Sequence, residues 1–243
     1  GRAGRNRAIR SLSMRERNDV SGFIRTFSGS HRDVFDFLAE EVLERQTDRV
    51  QTFLLETSIL GSLSGPLCDA LTGREDGQRT LERLERQNLL VVPLDDDRIW
   101  YRYHHLFADF LRGRLERERP ERLTPLHLRA SEWYDANALV AEAVRHALSA
   151  GDHERAARLM ESGVGQTWYR GEVMTLLGWL RELPKEAMLR RPLLLVWYAA
   201  ALMLLGRFDG VESLLQEAES TVGDAVEGRL DTSAEDSHRL GDR

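Results

Sequence analysis

The chain has 243 residues, 42% of them hydrophobic, and a formal net charge of −6. That hydrophobic content supports one or two packed cores and excludes a disordered protein, while the negative sum leaves the whole molecule without the footprint of a nucleic-acid binder. The lone cysteine, Cys68, excludes an internal disulfide framework and a cysteine-rich zinc site, and fits a reducing cytoplasm.

The charge is unevenly spread, with eight arginines against three acidic residues in positions 1–33. Lys185 is the only lysine and lies between Pro184 and Glu186. A Walker A loop needs Gly-Lys-Ser/Thr to set the lysine on the phosphates, so this chain has no P-loop. The longest apolar run, Leu193–Leu205, is bounded by Pro192 and Gly206. It is shorter than the roughly 20 helical residues that cross a bilayer and reads as a buried helix. The arginine-bearing N-terminus has no apolar core and does not read as a secretory signal.

Residues 1–17 have the composition of a basic, disordered arm, with a polyanion-binding arm as the sharper alternative. From 18 to 119 the pattern is that of a small helical domain. Val20, Phe23, Ile24 and Phe27 form a short helical stripe ended by Gly29. Ser30 caps a stronger helix, with Val34, Leu38, Val42 and Phe37 inward and Glu40, Glu41, Glu44 and Arg45 outward. Asp48 opens the next, with Val50, Phe53, Leu54 and Thr57 inward and Gly61 at its end. A short helix at Pro66–Leu71 stops at Gly73, and another spans Gly77–Asn88 with Leu81 and Leu84.

The period then changes to that of strands, Leu89–Leu94 and Ile99–Tyr103, joined by a turn of aspartates at Asp95–Asp97. Ile99, Tyr101 and Tyr103 share one face, Trp100 and Arg102 the other. After His104 and His105 it changes again. Leu106, Phe107, Phe110, Leu111 and Leu115 recur at helical spacing, so the histidines stand where a strand runs into a helix. Such a junction offers free backbone N–H groups and the positive end of a helix dipole to a phosphate. Helices, a two-stranded wing and a closing helix are the element order of a winged helix.

The charged stretch Gly113–Leu123, closed by Pro120, leads into residues 120–220, which show no strand signal. Val144, Gly151, His153, Ala156 and Met160 match the small, turn and packing positions of a tetratricopeptide repeat, and Ala199, Gly206, Phe208, Val211, Leu215 and Ala218 match them again. Helices between these copies, including Val173–Leu183, make the array irregular. Residues 221–243 lose apolar periodicity and have the composition of a disordered tail. The expected fold is mainly α: a winged-helix domain with a two-stranded β-hairpin, then an irregular tetratricopeptide-like α-superhelix.

The segments HRDVFDFLAEEVLERQ, VQTFLLETSIL, GPLCDALTG and LERLERQNLLVVPLDDDRIWYRYHHLFADFLRGRL, with the helices that follow, resemble the ATP-dependent LuxR-family regulators of the MalT type, which belong to the STAND signal-transduction ATPases. The resemblance covers roughly residues 18–220. It implies an internal fragment, winged helix plus the start of the sensor, lacking the P-loop ATPase and LuxR DNA-binding domains. It further implies that YHHL corresponds to the Met-His-Asp motif. By that correspondence His104 touches the β-phosphate of ADP, given a nucleotide-binding domain, and His105 takes the neighbouring, weaker position. ATP or ADP would then be the cofactor of the intact protein, with none held by this chain alone. The partners implied are a small inducer or a protein on the helical repeats, and nucleotide-binding and DNA-binding domains if encoded elsewhere.

Each sharper reading has a plainer one beside it. The histidines could instead cap the helix or contact the hairpin; as a metal pair they diverge and lack a third ligand at local spacing. Arg79, Arg83 and Arg86 on the fourth helix are offset by Glu82 and Glu85, and the wing tip carries three aspartates, so direct DNA binding is not expected. Trp133, Tyr134, Trp168, Tyr169, Trp179, Trp197 and Tyr198 would line a groove or pack the repeats. No catalytic constellation has supporting context, and neither an enzyme nor a membrane protein is expected. The alternative to a regulatory segment is a stand-alone helical-repeat scaffold for protein–protein interaction.

Overall fold

A computed structural model describes residues 32–223, with side chains from Phe35 onward. The basic arm 1–17, the stripe Val20–Phe27 and the tail from 224 lie outside the described residues. Two compact units divide between Leu126 and His127, seven residues beyond the 119/120 boundary expected from the charged linker.

The first unit begins with α1 (Arg32–Glu44), α2 (Asp48–Thr57), α3 (Gly65–Thr72) and α4 (Gly77–Arg86). It continues through the hairpin β1 (Val91–Pro93) and β2 (Tyr101–Tyr103) into α5 (His105–Glu118) and a 3-10 turn, Pro120–Arg122. The strands are antiparallel, with Val91 opposite Tyr103 and Pro93 opposite Tyr101. Leu63 adds a one-residue bridge to Tyr101 through two 2.8 Å backbone hydrogen bonds, so the wing has a third rung that apolar periodicity alone does not announce. Among the described residues this is a mainly helical fold with one small sheet, the winged-helix arrangement.

Several inward faces follow the expected spacing. Phe53, Leu54, Leu67, Leu71, Leu81, Leu84, Tyr101, Phe107, Leu111 and Leu115 are fully buried. Each large side chain so buried stabilises the fold by about 1.5–3 kcal/mol. The starts of α3 and α4 approach so closely that a Cβ on Gly77 would stand 2.6 Å from the Gly65 carbonyl oxygen, which only glycine tolerates.

Other expectations need correction. On α1 the buried stripe is Phe35, Ala39 and Leu43, and Phe37 is 55% exposed. This helix carries two adjacent apolar stripes at i, i+4, i+8, and the core takes the one a residue further on. Glu40, expected to face solvent, is paired with Arg114 of α5. Helix α2 stops at Ser58 rather than Gly61, because Ser58 and Leu60 turn their N–H groups back to Leu55 and Thr57. Ile99 lies outside β2 and is exposed: Asp95 accepts from the N–H groups of Ile99 and Trp100 and draws that end of the strand into the turn.

Helix α6 (Leu123–Ala136) runs across the division, and the second unit continues as α7 (Val140–Ser149), α8 (His153–Tyr169), α9 (Val173–Glu182), α10 (Lys185–Leu189) and α11 (Pro192–Leu204). A final helix begins at 211 and continues to 223, so 221–223 extend a helix where loss of pattern was expected. Gly151 and Gly206 stand at the helix turns with φ of 74° and 68°, the left-handed conformation that glycine adopts without strain. Val144, Ala156 and Met160 are fully buried. The second copy matches less well: Val211 and Ala218 are buried, but Phe208 is 68% exposed and Leu215 43%. Helix α11 buries Leu194, Leu195, Ala199, Ala201 and Leu202 and leaves Leu193, Val196, Met203 and Leu204 exposed, so the apolar run is buried on one side only.

Candidate functional site

Both histidines stand at the junction where β2 gives way to α5. His104 is the N-cap residue of α5 and His105 its first residue. The His104 N–H donates to the Leu90 carbonyl at 2.7 Å, tying the junction to the entry of β1, and its carbonyl accepts from Phe107 and Ala108 in the first turn. Tyr103 is anchored from behind. Its hydroxyl lies 2.6 Å from Thr57 Oγ1, both buried, and its ring meets Phe107 edge to face at 6.0 Å. Burial drives the Tyr103 phenol far above its ordinary pKa, so it stays neutral. A packed core thus fixes the backbone on which His104 is presented.

The His104 side chain caps nothing: it makes no hydrogen bond to the N–H groups of α5, and its Nδ1 is buried without a partner. Its ring stacks on Phe35 at 6.4 Å and lies 4.5 Å from His105, which is exposed. Burial first, then the positive neighbours His105 and Arg102, hold its pKa below the usual histidine range. The shift favours the neutral imidazole at pH 7.

His104 and His105 line a cavity of about 660 Å³ with Leu90, Val92, Arg102, Tyr103, Asp109 and Arg112 among the other walls. Arg112 is held in place by a hydrogen bond from Nη2 to the Ser58 carbonyl at 3.2 Å. The lining thus combines a helix start, two arginines and two histidines; Asp109, 3.4 Å from Arg112, is the one acidic residue among the cavity walls. Among the described residues no group of three or more metal-ligating side chains converges, and these two histidines are not joined by a third ligand.

Several of the other charged and aromatic candidates are engaged in structure. Glu85 pairs with Arg98 at 3.2 Å, and Asp95 is occupied by the wing turn. Tyr134 and Trp179 are buried, and Trp168 packs on Trp197 at 5.0 Å; Tyr169 alone among those aromatics is almost fully exposed. Sequence reasoning missed a second imidazole contact, His127 with His146. The two are 19 residues apart, and no short motif links them.

The fold and junction define the first unit as a winged-helix domain, and residues 39–123 match the family model described as the MalT winged helix domain. The similarity runs further along the chain. It is 36% identical over 217 residues to the serine/threonine-protein kinase PknK of Mycobacterium tuberculosis H37Rv, an alignment covering 89% of this chain and 20% of the kinase. To the HTH-type transcriptional regulator MalT of Klebsiella pneumoniae it is 34% identical over 211 residues, covering 86% of this chain and 23% of the regulator. The chain thus spans about a fifth of the length of these curated relatives. No described helix is long and apolar enough to cross a membrane.

Proposed function

We propose that this chain is a regulatory and interaction segment of a MalT-type STAND transcriptional regulator. In this reading the winged helix senses nucleotide state and the tetratricopeptide-like repeats take up an inducer or a protein partner. The nucleotide-binding and DNA-binding domains belong to other parts of the assembly, and the segment itself is neither an enzyme nor a DNA reader. The observation that carries the reading is His104: within the stretch matching the MalT winged helix, it stands at a helix start with a buried, unpartnered Nδ1 and lines a cavity together with Arg102 and Arg112. The ligand that suits this arrangement is the phosphate of an ADP held by a neighbouring nucleotide-binding domain, with His105 beside it at the edge.

The test is transcription from a target promoter by an intact regulator containing this segment. His104→Ala should raise inducer-independent transcription and His105→Ala should raise it less. Unchanged basal transcription in His104→Ala, with the protein present at normal levels, would remove the role.

The kinase relative favours a second reading, in which the same segment gates an output other than transcription, or serves as a helical scaffold on its own. Nearly the whole chain aligns to a protein named as a kinase as closely as to one named as a regulator. Under that reading His104→Ala alters partner binding and leaves transcription unaffected.

A further inference from the structure

His127 of α6 and His146 of α7 face each other through their Nδ1 atoms at 2.8 Å. His146 is fully buried, and its ring stacks on Tyr134 at 5.4 Å with a 14° interplanar angle. On its other side His146 Nε2 lies 3.2 Å from Nη2 of Arg145. A guanidinium has donors and no acceptor, so this contact requires His146 Nε2 to carry a lone pair. The one proton of a neutral His146 is then on Nδ1, where it donates to His127. His127 in turn must present a bare Nδ1, and its own proton sits on Nε2.

This arrangement has one protonation state. A second proton on His127 would put two N–H groups head to head. A second proton on His146 would set an N–H against the Arg145 guanidinium and bury a charge among apolar neighbours. Arg145 of its own helix and His127 of α6 both oppose protonation of His146, and the Tyr134 ring lies on its stacked face; among the described residues no carboxylate offsets them.

The contact also sits where opening would be felt. Ser131 of α6 donates to the Ala143 carbonyl of α7 at 2.9 Å and accepts from Arg155 of α8 at 2.9 Å, so the first helical hairpin is joined by a few polar ties in an alanine-rich interface. We propose that the His127–His146 contact is a proton-operated latch: it closes α6 on α7 while His146 is neutral and opens that hairpin when His146 takes a second proton.

The experiment is amide hydrogen exchange on the full chain at pH 7 and pH 5, corrected for intrinsic exchange rates. In the wild type, protection of Ala143 and Ala147 should fall by about tenfold per pH unit below the ordinary histidine pKa, as expected when opening takes up one proton. In His146→Phe, which keeps a ring against Tyr134 and removes the proton site, protection should be flat across the same range. Equal loss of protection in both proteins, or none in the wild type, would overturn the proposal. Nitrogen-15 spectra of the wild-type imidazoles give a reading that needs no variant. His146 should show its proton on Nδ1 and stay neutral at pH 5 while the hairpin is closed; a proton on Nε2, or titration near pH 6.5 in the closed form, would contradict the latch.

Discussion

Among the described residues two imidazole contacts are built on opposite principles. His104 and His105 are neighbours in sequence at the edge of the winged helix, where the His104 Nδ1 is buried without a partner and both residues line a cavity. His127 and His146 are brought together by the fold of the second unit, with a mutual hydrogen bond, a stacked tyrosine and no exposure of His146. The first leaves hydrogen-bonding capacity unspent and is suited to a ligand. The second spends it internally and is suited to holding helices together. Similar chemistry serves opposite ends because the surroundings decide whether a ring nitrogen waits or is answered.

The largest effect tests the floor beneath the first contact. Phe107 is fully buried behind Tyr103, and Phe107→Ala should lower stability by about 3–5 kcal/mol, read as a shift in the urea midpoint. A smaller loss would mean the junction is not set by that packing. His146→Ala comes next, at about 2–4 kcal/mol, since it empties a buried site and removes the donor to His127.

The pH dependence of stability should separate the two contacts. Burial, Arg145 and His127 hold the His146 pKa at about 3, against 6.5 when unfolded. The unfolded chain therefore binds more protons between these values. The contribution of His146 is whole above pH 6.5 and is lost at roughly 1.4 kcal/mol per pH unit as the pH falls below it. His104 is shifted in the same direction, so it adds a contribution of the same sign. His146→Phe should flatten most of the acid slope in chemical denaturation; retention of the full slope would assign it to other groups.

Thr57→Val removes the partner of the buried Tyr103 hydroxyl and should cost about 1–3 kcal/mol in the same assay. His104→Ala, at a site with no hydrogen bond from the side chain, should cost the least of all.

Much of the first unit is legible in the amino-acid sequence, because period changes at Leu89 and after His105 mark a wing and a helix start directly. The junction histidines are visible for the same reason. Phe37 misleads because α1 has two apolar stripes, and only packing against α5 chooses between them. Phe208 and Leu215 mislead because a repeat pattern marks equivalent positions without saying which of them a neighbour covers. The His127–His146 contact is invisible for a different reason: its residues belong to two helices, and the donor at one ring nitrogen is set by Arg145 at the other.

The central claim is that His104 waits for a phosphate and does not hold the fold. The direct measurement is ADP retention by an intact regulator containing this segment, paired with thermal unfolding in the absence of nucleotide. His104→Ala should weaken ADP retention by about tenfold, matching loss of a charge-assisted hydrogen bond of roughly 1.5–3 kcal/mol in part compensated by the arginines, with unfolding unchanged. Wild-type ADP affinity together with markedly easier unfolding would contradict the account and make His104 a core residue.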